Sequence, residues 1–288
     1  SGVGVLGLAV AASHPEAFVE ARDRDLLACA FTERNRANNR VANLSTAPGL
    51  LAQGRLGPLC PLASGALGAA DSGYDYILSN LPAKAGAPVL EAFFRDAARR
   101  LAPGGRLAFV IVKPLQEAAE AWYAASGFEL VSSERGAGHK AYVLALASKA
   151  APEPEGGPGA AAGRAAGPET GPALDFSALD LSVYLRGRGR FKSAGASYEA
   201  SGFWGLPNFD TLGFEDSVAA ELAERCLAGS LVRDALILNP GPGHLALWLA
   251  RRLPPERLTA ASRDLLSLAA TGALLAGVAK LGAMRPGT

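Results

Sequence analysis

The sequence predicts an α/β protein, a doubly wound parallel sheet made as two tandem related units. Three observations predict it. Apolar runs of strand length alternate with runs of helix length through the first half of the chain, the pattern of parallel strands joined by crossover helices. The chain opens on a glycine turn, Gly2-Val3-Gly4, of the kind that joins a strand tightly to a helix and lets a ligand approach the backbone. The same turn returns 239 positions later without a gap. Gly2, Gly4, Leu6, Leu8 and Ala11 recur as Gly241, Gly243, Leu245, Leu247 and Ala250. Pro15 recurs as Pro254, and Arg24-Asp25-Leu26-Leu27 as Arg263-Asp264-Leu265-Leu266.

The elements follow in order. After the first turn, residues 5–12 read as a helix, 17–21 as a strand and 25–38 as a helix with Leu26, Leu27, Ala30 and Phe31 on one face. Residues 45–72 are rich in Gly, Pro, Leu and Ala and predict no element. Residues 74–79 read as a strand, 88–101 as a helix with Pro88 in its first turn, and 106–112 as a strand entered through Pro103-Gly104-Gly105. A helix over 115–126 and strands over 128–132 and 141–147 complete the unit. Residues 150–172 are almost wholly Ala, Gly, Pro and Glu, with nothing to bury, and read as a flexible linker. Beyond it come strands over 181–191 and 196–203, a helix over 214–227, the strand 235–239 and the second glycine turn. The expected organisation is a first domain over 1–149, a linker over 150–177 and a partial second domain over 178–288. Both units read as truncated, because no strand precedes Gly2 whereas 235–239 precedes Gly241, and the second unit stops after its second helix.

Composition bounds the function. With 49% hydrophobic and 19% charged residues the chain is globular rather than disordered. A formal net charge of +1 supplies no global field toward a polyanion, so any nucleic-acid contact must be a local patch. Cys29, Cys60 and Cys226 share no metal-ligand spacing and cannot all pair, which suits thiols in a reducing cytoplasm and predicts no metal. The most apolar stretch, 265–279, is shorter than the ~20 residues of a membrane span and reads as a buried helix.

Gly2-x-Gly4-x-x-Gly7 matches a dinucleotide pattern, but among 34 glycines the match alone is weak. Position strengthens it: a helix and then a strand ending at Asp23 follow at the right distance, and an acid there accepts ribose hydroxyls. The competing role for Asp23 is to cap the next helix. Asn80-Leu81-Pro82 stands at the carboxyl end of the 74–79 strand, where open α/β sheets bind ligands. The Asn80 amide and the Leu81 carbonyl offer two acceptors that can orient an amino group toward an electrophilic methyl.

These motifs, with Leu101-Ala102-Pro103-Gly104-Gly105-Arg106-Leu107 and Gly138-His139-Lys140-Ala141-Tyr142, resemble the class I S-adenosylmethionine-dependent methyltransferases. Within them the chain most resembles the "methyltransferase small domain" group of tandem-domain rRNA guanine-N2 methyltransferases. The resemblance covers about residues 1–147, and 178–280 more loosely. It implies a Rossmann-like methyltransferase sheet, S-adenosylmethionine as cofactor, RNA as partner, and one paired domain that binds no cofactor and helps to hold RNA. It assigns Gly2, Gly4, Asp23 and Asn80 to the cofactor, and Asn80, Leu81 and Pro82 to the acceptor. The family usually has Asn-Pro-Pro and then an aromatic that stacks on the base; here Leu81 replaces the first proline and Ala83 the aromatic. The second turn has Asn239 where the family has an acid, and Ser262 where the first copy has Asp23, so the second pocket is expected to be empty.

Arg186, Arg188, Arg190 and Lys192 alternate with Gly187, Gly189 and Phe191. On a strand all four cations would share a face and could bind RNA phosphates, or serve as a charged edge that blocks strand pairing. The sequence therefore predicts methyl transfer from S-adenosylmethionine to a nucleobase exocyclic amine, guanine N2 of rRNA, in the cytoplasm. The alternatives are a nicotinamide-dependent oxidoreductase and a catalytically inactive double-Rossmann RNA scaffold.

Overall fold

The computed structural model of the chain describes residues 2–55, 73–147, 179–208 and 210–283. The expected linker over 150–177 and Cys60 lie outside the described residues. The chain divides into two compact units, Ser1–Asp23 with Ala28–Ala178, and Arg24–Leu27 with Leu179–Thr288.

In the first unit, α1 (Val5–Ser13) starts directly from Gly4, whose φ of 83° is left-handed. β1 (Val19–Asp23) lies parallel to β2 (Leu44–Leu50), with Val19 opposite Leu44 and Asp23 opposite Pro48. Between them runs α2 (Leu26–Asn38). A short β3 (Gly54–Arg55) pairs antiparallel with β2. The Asn43 side-chain amide donates to the carbonyls of Ala11, His14 and Ala17 at 3.0, 3.0 and 2.7 Å, satisfying groups that the end of α1 leaves open. β1 begins two residues later than the sequence predicts, because Ala17 N–H closes a turn onto the His14 carbonyl. β2 was hidden by Pro48 and Gly49, which read as loop residues; they fall where its parallel partner ends and the antiparallel β3 takes over.

The rest of the unit is β4 (Tyr74–Asn80), α3 (Ala87–Arg100), β5 (Leu101–Val112), α4 (Gln116–Ala125), β6 (Phe128–Arg135) and β7 (His139–Leu146). Their sheet runs β4-β5-β7-β6, with β4 parallel and β7 antiparallel to β5. One face carries the core. Leu107, Phe109, Ile111, Tyr142 and Leu144 are buried, as are Leu90, Phe93 and Phe94 of α3 and Tyr123 of α4. Phe109 stacks on Tyr142 at 4.8 Å and meets the edge of Phe94 at 5.1 Å, contacts that add to the area buried. Tyr76, Leu78 and Asn80, which alternate along β4 on the other face, are exposed. The described strands of this unit thus form two hydrogen-bonded sets, and the Arg22 guanidinium joins them by donating to the Tyr74 hydroxyl.

In the second unit, β8 (Leu185–Ser193) and β9 (Ala196–Phe203) form a hairpin whose turn residues Ala194 and Gly195 both have positive φ, 39° and 78°, as the twist of a two-residue hairpin requires. α5 (Phe214–Leu227), β10 (Asp234–Leu238), α6 (His244–Arg252), β11 (Arg257–Ala261) and α7 (Leu265–Ala283) follow, with β10 parallel to β11. Ala196, Tyr198 and Ala200 of β9 pack on Ala246, Leu247 and Trp248 of α6 in one core. Trp248 Nε1 donates to the Ser193 carbonyl at 3.1 Å. Of the apolar stretch expected to be a buried helix, Leu265, Leu266, Ala269 and Ala270 are buried, while Ala273 and Ala276 are exposed. No helix among the described residues is long and apolar enough to cross a membrane.

Inside this unit the repeated tetrapeptides meet. Leu26 N–H donates to the Arg263 carbonyl at 2.9 Å, and Leu265 N–H to the Arg24 carbonyl at 3.1 Å. Arg24 pairs with Asp264 at 3.2 Å and Arg263 with Asp25 at 3.4 Å. Equal contacts given and received are what a two-fold relation between like segments produces.

Candidate active site

Gly2 and Gly4 both have left-handed φ, 59° and 83°, a conformation that only glycine adopts without cost. A side chain on Gly4 would fall 2.5 Å from Thr32 Cγ2, whereas nothing lies within 4 Å of the Cβ position of Gly2. The turn is thus packed from behind at Gly4 and open in front at Gly2. Thr32 donates to the Ala28 carbonyl at 2.9 Å, and Asn35 Nδ2 to the Val3 carbonyl at 2.9 Å, which ties the turn to α2. Asp23, half-buried at the carboxyl end of β1, accepts from Gly2 N–H through Oδ2 at 2.9 Å. Gly2, Gly4 and Asp23 therefore form one cradle. A glycine backbone open to approach, with a carboxylate at its rim, suits a ribose-bearing cofactor.

Asn80, Leu81 and Pro82 form a second cluster at the carboxyl end of β4. Asn80 stands opposite Val110 of β5, and Leu81 N–H donates to the Val110 carbonyl at 3.0 Å. The Leu81 side chain is buried at 2% exposure, and the Pro82 carbonyl accepts from Ala85 N–H at 3.0 Å. Backbone and buried side chain hold the turn rigidly, while the Asn80 side chain remains exposed. Ala83 beside it is exposed and offers no ring.

Behind this edge, on the core face, lies a network that sequence reading missed. Lys140 Nζ donates to Glu120 Oε1 at 2.9 Å and lies 4.4 Å from the Tyr142 ring centre, and the Tyr142 hydroxyl donates to the same oxygen at 2.7 Å. The Lys140 hydrogen bond, then that of Tyr142, holds the Glu120 carboxyl below its usual range. The bond to Glu120 holds the Lys140 ammonium above its own. Glu120 and Lys140 come from separate elements, and no spacing rule connects them.

The second glycine turn keeps the backbone and changes the chemistry. Asn239, Gly241 and Gly243 all have positive φ, 52°, 58° and 98°. Thr271 backs Gly243, with Oγ1 3.1 Å from a Cβ there. Thr32 and Thr271 hold the same 239-residue offset, a signal the repeat contained and sequence reading overlooked. Where the first copy has Ala28, the second has Ser267, which donates to the Gly241 carbonyl at 2.7 Å. Ser262, the counterpart of Asp23, accepts from Asp264 N–H at 3.1 Å and lies 3.4 Å from Asn239 Oδ1. Hydroxyls thus hydrogen-bond where the first copy has Asp23 and Ala28, while nothing lies within 4 Å of the Cβ position of Gly241, as at Gly2. His244, the first residue of α6, is buried against the edge of Phe191 at 4.5 Å. Neither of its ring nitrogens has a hydrogen bond of full geometry among the described residues.

The cations of β8 do not form an even ladder. The register with β9 shifts between Leu185 and Gly187, at Arg186, and such bulges re-aim side chains. Arg186 lies over the Trp204 ring at 4.6 Å and pairs with Asp210 at 2.6 Å. Arg188, Arg190 and Lys192 are exposed. Among the described residues, no group of three or more His, Cys, Asp or Glu side chains is placed to hold a metal.

Residues 1–125 match the family described as "Methyltransferase small domain". No curated protein matches the chain. Among solved structures, the chain is similar to the T. thermophilus 16S rRNA N2 G1207 methyltransferase RsmC, in complex with AdoMet and guanosine. That likeness has 22% identity over 73% of this chain and 49% of the other, and a TM-score of 0.48. It is also similar to a ribosomal protein L11 methylase from Lactobacillus delbrueckii subsp. bulgaricus, with 18% identity over 50% of this chain and 66% of the other and a TM-score of 0.38. TrmN from Thermus thermophilus is 21% identical over 51% of this chain and 42% of the other, with a TM-score of 0.38. The chain spans about half the length of the RsmC chain.

Proposed function

We propose that the protein, whose residues 1–125 match the methyltransferase small domain, uses S-adenosylmethionine to methylate a nucleobase exocyclic amine, guanine N2 of ribosomal RNA, in the cytoplasm. The observation that carries the reading is the Asn80 turn: an exposed amide on a backbone pinned by Leu81 N–H to Val110 and by the buried Leu81 side chain. When bound, the cofactor supplies a methyl group on a sulfonium, an electrophile that needs alignment more than activation. Asp23 would accept from the ribose hydroxyls, with Gly2 and Gly4 allowing close approach. The Asn80 side-chain oxygen and the Leu81 carbonyl would accept the two hydrogens of the amine, aiming its lone pair, while Pro82 sets the turn. Positioning of this kind supplies much of a barrier reduction. The second unit, with Ser262 where the first copy has the carboxylate of Asp23, would bind no cofactor and would hold RNA through the exposed cations of β8.

The family match sets aside the nicotinamide alternative. Ala83, which leaves no stacking ring beside Asn80, favours one other reading, an inactive RNA scaffold. One experiment separates them: methyl transfer to unmodified ribosomal RNA by the wild-type chain and by Asn80→Ala, with cofactor binding measured in parallel. Asn80→Ala is expected to keep S-adenosylmethionine affinity near the wild-type value, because the ribose contact lies at Asp23 and the glycine turn, and to lose on the order of a hundredfold in turnover. Wild-type turnover by the variant would reduce Asn80 to a turn residue, and an inactive wild type would establish the scaffold.

A further inference from the structure

The outward face of the β8-β9 hairpin is more ordered than a run of cations. Opposite residues of an antiparallel pair project to the same face, and the register sets Arg188 against Ser201, Arg190 against Glu199 and Lys192 against Ser197. The inward face is fully committed, since Ala196, Tyr198 and Ala200 are buried against α6. A side chain on Gly189 would come within 3.0 Å of the Phe191 ring. With the inward face buried, the cations of the hairpin stay outside.

The four cations are not equivalent. Arg186 is held by Trp204 and Asp210. Arg190 faces Glu199, the only acid in either strand, at 3.1 Å, with both side chains well exposed. Among the described residues Arg188 and Lys192 have no ion pair, and each sits beside a serine hydroxyl that can donate to an anion without adding charge. A strand advances about 3.3 Å per residue, so Arg188 and Lys192, four residues apart, stand about 13 Å apart. That is comparable to two phosphate steps along an extended RNA strand, with Arg190 at the step between.

We propose that this face is a rail for the backbone of single-stranded RNA. Arg188 with Ser201 and Lys192 with Ser197 are its two phosphate seats, Arg190 is held in reserve by Glu199, and Arg186 is not a contact. The rail rests on RNA being the partner and refines which cations engage it. It contacts phosphate and not bases, so it predicts sequence-blind affinity that weakens with salt.

The test is binding of a fluorescein-labelled oligouridylate to the full chain over a range of salt. Uracil has no exocyclic amine, so the result does not depend on the acceptor chemistry at Asn80. Arg188→Ala and Lys192→Ala should each lower the slope of log affinity against log salt by about 0.7, the value for one phosphate contact on a single strand. Arg188→Lys should keep the wild-type slope, which distinguishes lost charge from lost fold. Arg186→Ala should leave the slope unchanged, and Glu199→Gln should tighten binding and steepen it by freeing Arg190. The rail is overturned if Arg188→Ala and Lys192→Ala leave the slope intact, if Arg186→Ala lowers it equally, or if Glu199→Gln does not tighten binding. It is also overturned if the same substitutions weaken binding to phosphatidylserine vesicles and spare the oligonucleotide, which would make the partner an anionic lipid surface.

Discussion

The backbone N–H of Gly2 donates to Asp23 Oδ2 at 2.9 Å, so the carboxylate at the end of β1 already faces the turn. Asp23→Ala removes a charged acceptor, and hydrogen bonds to charged groups contribute about 1.5–3 kcal/mol. S-adenosylmethionine should bind at least about tenfold more weakly. Calorimetry on the wild type should find one site per chain, since Ser262 has no carboxylate. An unchanged dissociation constant in the variant, or two sites in the wild type, would sink the assignment.

Gly4→Ala meets two obstacles, a left-handed φ of 83° and the Thr32 side chain. The backbone cost alone is about 1–2 kcal/mol, and the contact with Thr32 adds to it. The urea midpoint should fall, and Thr32→Ala should recover part of the loss by removing the methyl and hydroxyl that both crowd a Cβ. Gly243→Ala faces a φ of 98° but looser contacts, 3.1 Å to Thr271 Cα and Oγ1, and should cost less. A midpoint unchanged by Gly4→Ala would contradict the packing at this turn.

His244 gives the second unit a pH dependence. Burial holds its imidazole below the usual histidine range, against the opposing pull of the Asn208 backbone. The unfolded chain therefore takes up a proton more readily than the folded one. The sign follows: His244 costs nothing above the unfolded value of about 6.5, and stability declines as pH falls below it toward the depressed folded value. His244→Leu should flatten that decline. Because it also removes two buried polar atoms without full hydrogen bonds, it should leave the protein no less stable at neutral pH. Thermal melts between neutral and mildly acidic pH test both points, and an unchanged slope in the variant would refute the first.

Lys140 and Glu120 should couple. Lys140→Met leaves Glu120 with the Tyr142 hydroxyl alone, and Glu120→Gln removes the charge that Lys140 answers. Each should lower the melting temperature, and the double substitution should cost less than the two losses added. The Glu120 contribution is present above the ordinary carboxylate value and lost as pH falls through its lowered folded value. Strict additivity would show that the network is only proximity.

The sequence by itself determined the two-unit α/β plan, the glycine turns and the positions of Asp23 and Asn80. These rest on local rules: strand and helix periods, the backbone freedom of glycine, and a repeat readable at one fixed offset. It also contained the Thr32 and Thr271 pair, unread because a threonine in a helix has no local signature until a glycine is seen to need the space. Tertiary structure alone decided the rest. β2 forms despite Pro48 and Gly49 because β1 lies alongside it. Glu120, Lys140 and Tyr142 meet because α4 packs on the core face of the sheet, where its Tyr123 meets the edge of Tyr142. Alternation set four cations on one face of β8, yet a single bulge turned Arg186 onto Trp204, since register depends on the partner strand and not on the strand's own residues. The bond from the Ser267 hydroxyl to the Gly241 carbonyl likewise needed the fold, because only packing of α7 on the turn brings the two within reach.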